Sequence, residues 1–338
     1  MKFSTLDIEK LKSLLASPQK VVIVSHKNPD GDALGSSLGW LFFLQKLAHD
    51  VVFVSPNDFT KNLSWIPGTD LVLPYDNDTK RPTIQERIEK AEVIFCLDFN
   101  ALSRVEELGE RIKNASAIKV MIDHHQQPES FAALTFSDTS YCATAEMVHD
   151  IIVDLGYEEL IDGKIALCLY TGLTTDSGFF QFNSTTPNAL RVAASLVEKG
   201  ARPEYVSEKV NNVFKEHRLR FFGYCLHEKL KLVNNGKVAY MMLSQAEIKK
   251  FNLQSGDSES LVNYPFKIET VQVAVYFSED VDRIKISFRS RGEVDVNTFA
   301  RKNFEGGGHT NAAGGKSLQT LDATEKKFLD LLPTLNLA

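Results

Sequence analysis

The amino-acid sequence predicts an α/β protein in which a parallel-sheet domain is followed by a helical connector and a smaller α/β domain. In the first half of the chain, short apolar strands alternate with helical segments, which is typical of a parallel sheet covered on both faces. A run of helical segments follows, and strand signals return after it. The length of 338 residues exceeds what one hydrophobic core usually organises, so two domains are expected.

The N-terminal domain, predicted over residues 1–187, starts with an amphipathic helix capped by Ser4 or Thr5. Four strands are predicted where apolar residues form short continuous runs, at 21–25, 51–55, 93–97 and 118–122. The helical spacing of apolar side chains predicts helices at 34–47, 83–91, 143–156 and 163–176. Together these elements form the expected alternation of strands and helices.

The helical connector is predicted over residues 188–230, because Thr186 and Pro187 form a favourable helix start and periodic apolar residues follow. The C-terminal domain is predicted over residues 231–338, with strand signals at 237–243, 271–277 and 284–289. A glycine-rich turn and a closing helix complete this domain, at 306–308 and about 321–332.

The composition excludes several classes of protein. The formal charge of −6 argues against binding of long nucleic-acid duplexes, which requires a basic face. No apolar run approaches the roughly 18 residues that span a bilayer, and the first residues lack a signal-peptide pattern. We therefore expect a cytoplasmic protein without membrane contact. The four cysteines are scattered and form no CxxC pair, which argues against disulfides and a zinc knuckle.

Metal-capable side chains follow several of the predicted elements. The first strand leads into a loop that carries His26, Asp30 and Asp32. Three further segments end on such side chains: Asp98 after the strand at 93–97, Asp123, His124 and His125 after the strand at 118–122, and Asp176 at the end of the helix at 163–176. Because sites in open α/β sheets form beyond the carboxyl ends of the strands, we expect these side chains to meet.

A single aspartate after a strand is more often a helix cap than a ligand, but four segments that end in this way are hard to explain by capping. Carboxylates brought together would repel one another, so such a cluster needs cations. Two divalent cations would cancel the charge of four carboxylates. Mixed carboxylate and imidazole ligands suit Mn²⁺ better than Zn²⁺, with Mg²⁺ or Co²⁺ as substitutes.

These residues resemble the four motifs of the DHH phosphoesterase superfamily, namely His26-x3-Asp30-x-Asp32, Asp98, Asp123-His124-His125 and Asp176. The segment FRSRGEVDVNTFARKNFEGGGHTNAAGG, at 288–315, is similar to the domain associated with DHH proteins. Within the superfamily, the chain looks most like the nano-RNase type, a bifunctional oligoribonuclease and 3′-phosphoadenosine-5′-phosphate (pAp) phosphatase. The resemblance implies a metal-dependent hydrolase of phosphoester bonds with exonuclease activity on short oligonucleotides.

The resemblance also implies a role for each motif residue. One Mn²⁺ would be held by His26, Asp30 and Asp98, and the second by Asp32, Asp98, His124 and Asp176, with Asp98 bridging the two. His125 would face the substrate phosphate, and Asp123 would orient the histidines. The cations would activate a water molecule for attack on phosphorus. Asn100 departs from the small or hydroxyl residue that many relatives carry after the second motif.

The glycine-rich segment of the C-terminal domain is the expected substrate-binding element. Gly306, Gly307 and Gly308 leave room for backbone N–H groups to approach an anion, although the pattern alone also fits a simple turn. By resemblance, Arg289 and His309 would bind the terminal phosphate or the adjoining nucleotide. A substrate held at both ends would have to be short, such as a nano-RNA or a nucleoside bisphosphate.

Three other functions are alternatives. The same metals could hydrolyse phosphoanhydrides, as exopolyphosphatases and pyrophosphatases do, although family-II pyrophosphatases have no GGGH element in their second domain. The substrate could also be a linear dinucleotide of the pApA type. A nucleic-acid-binding module without catalysis is disfavoured, because every motif position is intact. Relatives are often dimers, so the resemblance is compatible with a homodimer.

Overall fold

The computed structural model describes residues 2–211, 215–254, 256–335 and 337. The chain divides into two compact units, Met1–Val213 and Phe214–Ala338. Each unit has its own six-stranded sheet with hydrophobic cores on both faces. The predicted α/β fold with a parallel-sheet domain and a second α/β domain is confirmed.

The strands of the first unit are β1 (Lys20–Val24), β2 (Asp50–Ser55), β3 (Val72–Pro74), β4 (Val93–Leu97), β5 (Ile118–Asp123) and β6 (Leu134–Ser137). Its helices are α1 (Thr5–Leu14), α2 (Gly31–Lys46), α3 (Arg81–Glu89), α4 (Glu107–Asn114), α5 (Thr144–Asp154), α6 (Gly163–Asp176), α7 (Pro187–Glu198) and α8 (Pro203–Asn211). The predicted strands correspond to β1, β2, β4 and β5, whereas β3 and β6 were not predicted.

The sheet of the first unit is parallel throughout, with the strand order β3-β2-β1-β4-β5-β6. Strands β2 and β3 lie on one side of β1, and β4, β5 and β6 lie on the other side. The strand order therefore reverses between β1 and β4, and such a switch point leaves a crevice at the carboxyl edge of the sheet.

Alternate side chains of the central strands build two cores. Val21 and Ile23 of β1 belong to one core together with side chains of α1, α2, α5 and α6. Val22 and Val24 belong to the other core, with side chains of α3 and α4. Because both faces of the sheet are covered, β1 after Lys20 and all of β4 are apolar, as expected for a parallel sheet.

Helices α2 and α6 approach each other very closely. Gly31 and Gly35 lie one turn apart on the face of α2 that contacts α6. A Cβ atom at Gly35 would lie 2.5 Å from the carbonyl oxygen of Cys168 and 2.7 Å from the backbone nitrogen of Gly172. A Cβ atom at Gly31 would lie 2.4 Å from Oγ1 of Thr175. Because these glycines have no side chain, the end of α6 can pack directly against the start of α2.

The second unit has a mixed sheet in the order β11-β12-β10-β9-β8-β7, in which β8 and β9 are parallel and the other neighbours antiparallel. Its strands are β7 (Lys231–Val233), β8 (Val238–Leu243), β9 (Val273–Glu279), β10 (Ile284–Ser290), β11 (Gly307–His309) and β12 (Ala312–Ser317). Its helices are α9 (Glu216–Tyr224), α10 (Gln245–Lys250), α11 (Val296–Asn303) and α12 (Leu321–Leu331).

The glycine-rich segment differs from its expected form. Instead of a turn at 306–308, Gly307 and Gly308 form strand β11, which pairs with β12. A Cβ atom at Gly306 would lie 2.0 Å from the carbonyl oxygen of Gly314. The first glycine is therefore required by the close approach of two backbones within this hairpin.

The helices of the predicted connector are divided between the two units. Val192 and Leu196 of α7 are buried in the core of the first unit, whereas Phe221 of α9 is buried in the second. Residues 212–214 of the connector lie outside the described residues. The domain boundaries stay a prediction, at 1–187, 188–230 and 231–338.

Two expectations from composition can be compared with the structure. The four cysteines are free and buried: Cys96, Cys142, Cys168 and Cys225. Within the described ranges, no helix combines the length and the hydrophobicity that crossing a bilayer requires.

Candidate metal centre

The metal-capable residues of the first unit lie together at the carboxyl edge of its sheet. Three sets of three residues in this unit have donor atoms within 4.8 Å of one another: His26 with Asp30 and Asp98, Asp32 with Asp98 and His124, and Asp98 with Asp123 and His125. Asp98 belongs to all three sets. Asp176, the last residue of α6, places its Oδ2 3.3 Å from Nε2 of His124. Acidic and histidine side chains are thus positioned to hold metal.

His26 directs one ring nitrogen toward carboxylates. Its Nδ1 lies 2.8 Å from the carbonyl oxygen of Lys27, which can only accept a hydrogen bond, so Nδ1 carries the hydrogen. Its Nε2 lies 3.4 Å from Oδ2 of Asp98 and 3.9 Å from Oδ1 of Asp30. Nε2 therefore faces the acidic cluster, and once deprotonated it could bind a metal as other histidines do.

His124 has the same arrangement on the other side of Asp98. Its Nδ1 lies 3.2 Å from the carbonyl oxygen of Tyr141. Its Nε2 lies 3.3 Å from Asp176, 3.6 Å from Asp98 and 3.8 Å from Asp32. The hydrogen of the His124 ring therefore lies on Nδ1, and Nε2 faces the three carboxylates. A divalent cation could bind Nε2 and these three carboxylates together.

Asp98 is held in an unusual backbone conformation. Its φ angle is 63°, in the left-handed region that costs a non-glycine residue roughly 1 kcal/mol. Its backbone nitrogen donates to the carbonyl oxygen of Ile122 at 3.1 Å, and its Oδ1 accepts from Oγ1 of Thr144 at 2.9 Å. Such strain is common at functional sites, where neighbouring contacts maintain it.

The carboxylates of Asp30 and Asp32 also bind the first turns of helices. Oδ1 of Asp30 accepts from the backbone nitrogens of Asp32 and Ala33, at 3.0 and 3.1 Å, and so caps α2. The carboxylate of Asp32 accepts from the backbone nitrogens of Thr144 and Ala145, at 2.6 and 2.9 Å, at the start of α5. Asp30 and Asp32 therefore each bind the N-terminus of a helix and also belong to the acidic cluster.

His125 is oriented by its neighbours. Asp123 accepts from the backbone nitrogen of His125 through Oδ2 and contacts its Nδ1 through Oδ1, both at 2.8 Å. Asn100 donates from Nδ2 to the carbonyl oxygens of His125 and Gln126, at 2.9 and 3.1 Å. Both the backbone and the ring of His125 are therefore fixed at the edge of the cluster.

Comparison with known proteins identifies the family. The DHH family N-terminal domain matches residues 20–173, and the DHHA1 domain matches residues 235–335. The bifunctional oligoribonuclease and PAP phosphatase NrnA of Thermus thermophilus is 31% identical, over 89% of this chain and 85% of its own length. The chain belongs to the DHH family.

Other DHH-family relatives cover nearly the whole chain. The bifunctional oligoribonuclease and PAP phosphatase NrnA of Bacillus subtilis is 28% identical, over 92% of this chain and 93% of its own length. The crystal structure of an exopolyphosphatase-related protein from Bacteroides fragilis is 37% identical and has a TM-score of 0.94. That match covers 99% of this chain and 98% of the other. The resemblance inferred from the four motifs is confirmed.

The electrostatics of the DHH centre connect His26 and Asp98. Burial lowers the pKa of His26, but the contact with Asp98 and the charge of Asp30 outweigh burial and raise this pKa to about 9. Burial raises the pKa of Asp98, but the contact with His26 and the nearby histidines His124 and His125 lower it well below the ordinary range. Without a metal ion, a proton on His26 therefore partly compensates the charge of Asp98.

The other carboxylates show the cost of crowding negative charge. Burial and the charges of Asp98 and Asp176 raise the pKa of Asp32 well above its ordinary value. Burial, with the charges of Asp30 and Asp98, raises the pKa of Asp176 to about 6. Both shifts have the direction expected when several carboxylates share a small volume without a compensating cation.

The metal-free protein is expected to lose stability as the pH rises from 6.5 to 9.5. A folded-state pKa of about 9 for His26 lies above the unfolded value of 6.5, so the stabilisation is present below pH 6.5 and is lost as the pH rises through 9. We expect a loss of about 2–3 kcal/mol in the free energy of unfolding, measured with urea in the presence of a chelator.

Two controls accompany this pH experiment. Excess Mn²⁺ should flatten the pH dependence, because the cation takes the place of the proton. His26→Asn should reduce the dependence in the chelated protein, and the remainder would come from Asp32 and His125. A stability that rises with pH in the chelator, or an unchanged slope in His26→Asn, would contradict the prediction.

Thr144 and Asn100 contribute to the site in ways that the sequence analysis missed. Thr144 precedes an apolar helical run and so has the pattern of an ordinary helix start, which conceals its bond to Asp98. Asn100 was noted only as a departure from the family pattern. Its bonds to the backbone after β5 depend on the neighbouring strand, which local sequence does not specify.

The predicted substrate-binding residues lie in the second unit. Arg289 is on β10, where its Nη1 donates to the carbonyl oxygen of Phe288 at 2.9 Å. Gly308 has a φ angle of 148°, and a Cβ atom there would lie 2.4 Å from the carbonyl oxygen of Ala312. His309 ends β11. The hairpin alone explains the need for glycine, so a role in substrate binding stays a prediction.

Proposed function

We propose that this DHH-family protein is a two-metal phosphoesterase that hydrolyses short oligonucleotides and 3′-phosphoadenosine-5′-phosphate. The observation that carries the proposal is the pair of donor sets that share the carboxylate of Asp98. Relatives named bifunctional oligoribonuclease and PAP phosphatase NrnA align over most of the chain, which supports the choice of substrate.

We assign His26, Asp30 and Asp98 to one metal ion, and Asp32, Asp98, His124 and Asp176 to the other. The carboxylate and imidazole donors suit Mn²⁺, and Mg²⁺ or Co²⁺ could substitute. Such cations, when bound, neutralise phosphoryl charge and make water acidic enough to react at neutral pH.

We assign His125 to binding of the substrate phosphate. The ring would donate a hydrogen bond to a non-bridging phosphate oxygen, and Asp123 holds it in position before the substrate arrives. Without a metal ion, burial lowers the pKa of His125, but the hydrogen bond that its ring donates to Asp123 and the charge of Asp98 raise it overall. A raised pKa favours the protonated ring, which is the better partner for an anion.

The second unit would bind the remainder of the substrate. Arg289 offers a guanidinium fork that matches a phosphate group. Backbone N–H groups along Gly306, Gly307 and Gly308 could approach an anion, with His309 beside them. A cytoplasmic location fits the free cysteines, because cytosolic proteins rarely form disulfides.

Hydrolysis of phosphoanhydrides is the second candidate function. It is favoured by the likeness to the exopolyphosphatase-related protein of Bacteroides fragilis. The same donor sets could serve either reaction, because both transfer a phosphoryl or nucleotidyl group to water. The choice of substrate therefore needs a direct comparison.

A substrate panel tests the proposal. The Mn²⁺-loaded protein would be assayed on a labelled dinucleotide, an RNA of about 24 nucleotides, 3′-phosphoadenosine-5′-phosphate, pyrophosphate and polyphosphate. We expect kcat/KM for the dinucleotide and for the bisphosphate to exceed the other values by about a hundredfold. A preference for pyrophosphate or long polyphosphate would refute the nucleotide function and support the second candidate.

A further inference from the structure

An arginine that no motif includes lies on a short 3-10 turn beside the metal centre. The turn, Leu102–Val105, follows Asp98 and carries Arg104. The carbonyl oxygen of Arg104 accepts a hydrogen bond of 3.0 Å from the backbone nitrogen of Lys27, the residue after His26. The turn is therefore attached directly to the loop that carries the first donor set.

The guanidinium of Arg104 has donors that the protein does not use. The side chain is half-buried, and among the residues that the structure describes it has no hydrogen bond or ion pair. Its positive charge opposes the overall rise in the pKa values of His26 and His125, so it lies within electrostatic reach of both rings. A guanidinium has five N–H donors, and its planar shape matches carboxylate and phosphate acceptors.

Other arginines of the same unit show what a structural guanidinium looks like. Arg87 binds both carboxylate oxygens of Asp50, at 2.8 and 2.7 Å. Arg81 donates to the carbonyl oxygen of Tyr75 at 3.2 Å. Arg104 has no comparable partner among the described residues, although its turn is bonded to the loop that carries His26. The donors of its guanidinium are therefore available to an anionic ligand.

The net charge of the metal centre also favours a positively charged side chain near the substrate. The carboxylates of Asp30, Asp32, Asp98, Asp123 and Asp176 carry five negative charges, which two divalent ions and a protonated His125 just balance. A phosphate that bound there would add negative charge that this set leaves uncompensated, unless another positive side chain stood beside it. Lys27 is engaged by the carboxylate of Glu106, so its ammonium group is already paired.

We propose that Arg104 binds the non-bridging oxygens of the phosphate group that is cleaved at the metal centre, together with His125. The planar fork of the guanidinium would bind two oxygens and stabilise their charge as the bond to the leaving group breaks. The assignment rests on the proposed phosphoesterase function, but binding of free phosphate can be measured without any turnover.

The test compares Arg104→Met and Arg104→Lys with the control Arg191→Met, which removes the same charge from the exposed face of α7. Each full-length protein would be loaded with Mn²⁺ and titrated with inorganic phosphate by calorimetry, and its bound Mn²⁺ would be counted. We expect Arg104→Met to weaken phosphate binding at least about tenfold with unchanged Mn²⁺ content. Arg104→Lys should restore part of the affinity, and the control should match the wild type.

Two outcomes would overturn the proposal. One is phosphate affinity in Arg104→Met equal to that of the wild type. The other is a loss of bound Mn²⁺ in Arg104→Met, which would show that the residue only supports the His26 loop.

Turnover gives an independent readout. On a dinucleotide, Arg104→Met is expected to reduce kcat by about a hundredfold or more, because the contact strengthens as charge develops on the phosphate. If the wild type hydrolyses no phosphoester but Arg104→Met still loses phosphate affinity, the proposed function fails and the anion site at Arg104 stands.

Discussion

Asp98→Asn is expected to reduce kcat for phosphoester hydrolysis by at least about a thousandfold, which corresponds to roughly 4 kcal/mol of lost transition-state stabilisation. The physical reason is that the carboxylate of Asp98 belongs to both donor sets, so one substitution weakens both metal sites. Asparagine has the same shape and tolerates the left-handed φ of 63°, so the backbone should stay in place.

The measurement combines steady-state rates with a count of bound Mn²⁺, which should fall below two per chain. Asp78→Asn is the matched control, because this aspartate side chain is 95% exposed. Its rate and metal content should equal those of the wild type. If Asp98→Asn kept two bound ions and more than about a tenth of the wild-type rate, the shared role of Asp98 would be wrong.

Gly35→Ala is expected to destabilise the first unit by about 1–3 kcal/mol and to lower activity as well. The added Cβ would overlap backbone atoms of Cys168 and Gly172, which cannot rotate away as a side chain can. Helices α2 and α6 would have to separate, and Asp176 at the end of α6 would move relative to Asp32. Urea unfolding and kcat would be measured on the same preparations.

Gly163→Ala is the control for this substitution, since it adds a methyl group at the first position of α6. There a Cβ atom would lie 3.5 Å from the carbonyl oxygen of Lys199, an ordinary contact. We expect unchanged or slightly higher stability, because alanine favours the helix over glycine by up to about 1 kcal/mol. Equal stability of Gly35→Ala and the wild type would show that the two helices can separate without cost.

Much of the fold could be predicted because the central strands are covered on both faces. Residues 21–24 and 93–97 are apolar at every position for that reason, and the predicted runs at 21–25 and 93–97 correspond to β1 and β4. Strand β3 is only three residues long and ends in a proline, so no periodic signal marks it. The glycine-rich segment was mistaken for a turn because glycine also permits the close backbone contact of a hairpin.

The meeting of the acidic residues could be predicted because parallel strands place their carboxyl ends on one edge of the sheet. The finer features could not. The left-handed φ of Asp98 depends on contacts with Ile122 and Thr144, which come from other strands and helices. The position of Arg104 depends on a backbone bond to Lys27, far away in the sequence.

The capping bonds of Asp30 and Asp32 have a consequence for handling the protein. Because backbone N–H groups of α2 and α5 hold the carboxylates of Asp30 and Asp32, these two ligands do not need the ion to be positioned. An apoprotein prepared with a chelator should keep its secondary structure and regain full occupancy within the mixing time when Mn²⁺ is added back. The centre would then exchange its bound ions with the divalent ions in solution, rather than retain those present when the chain folded.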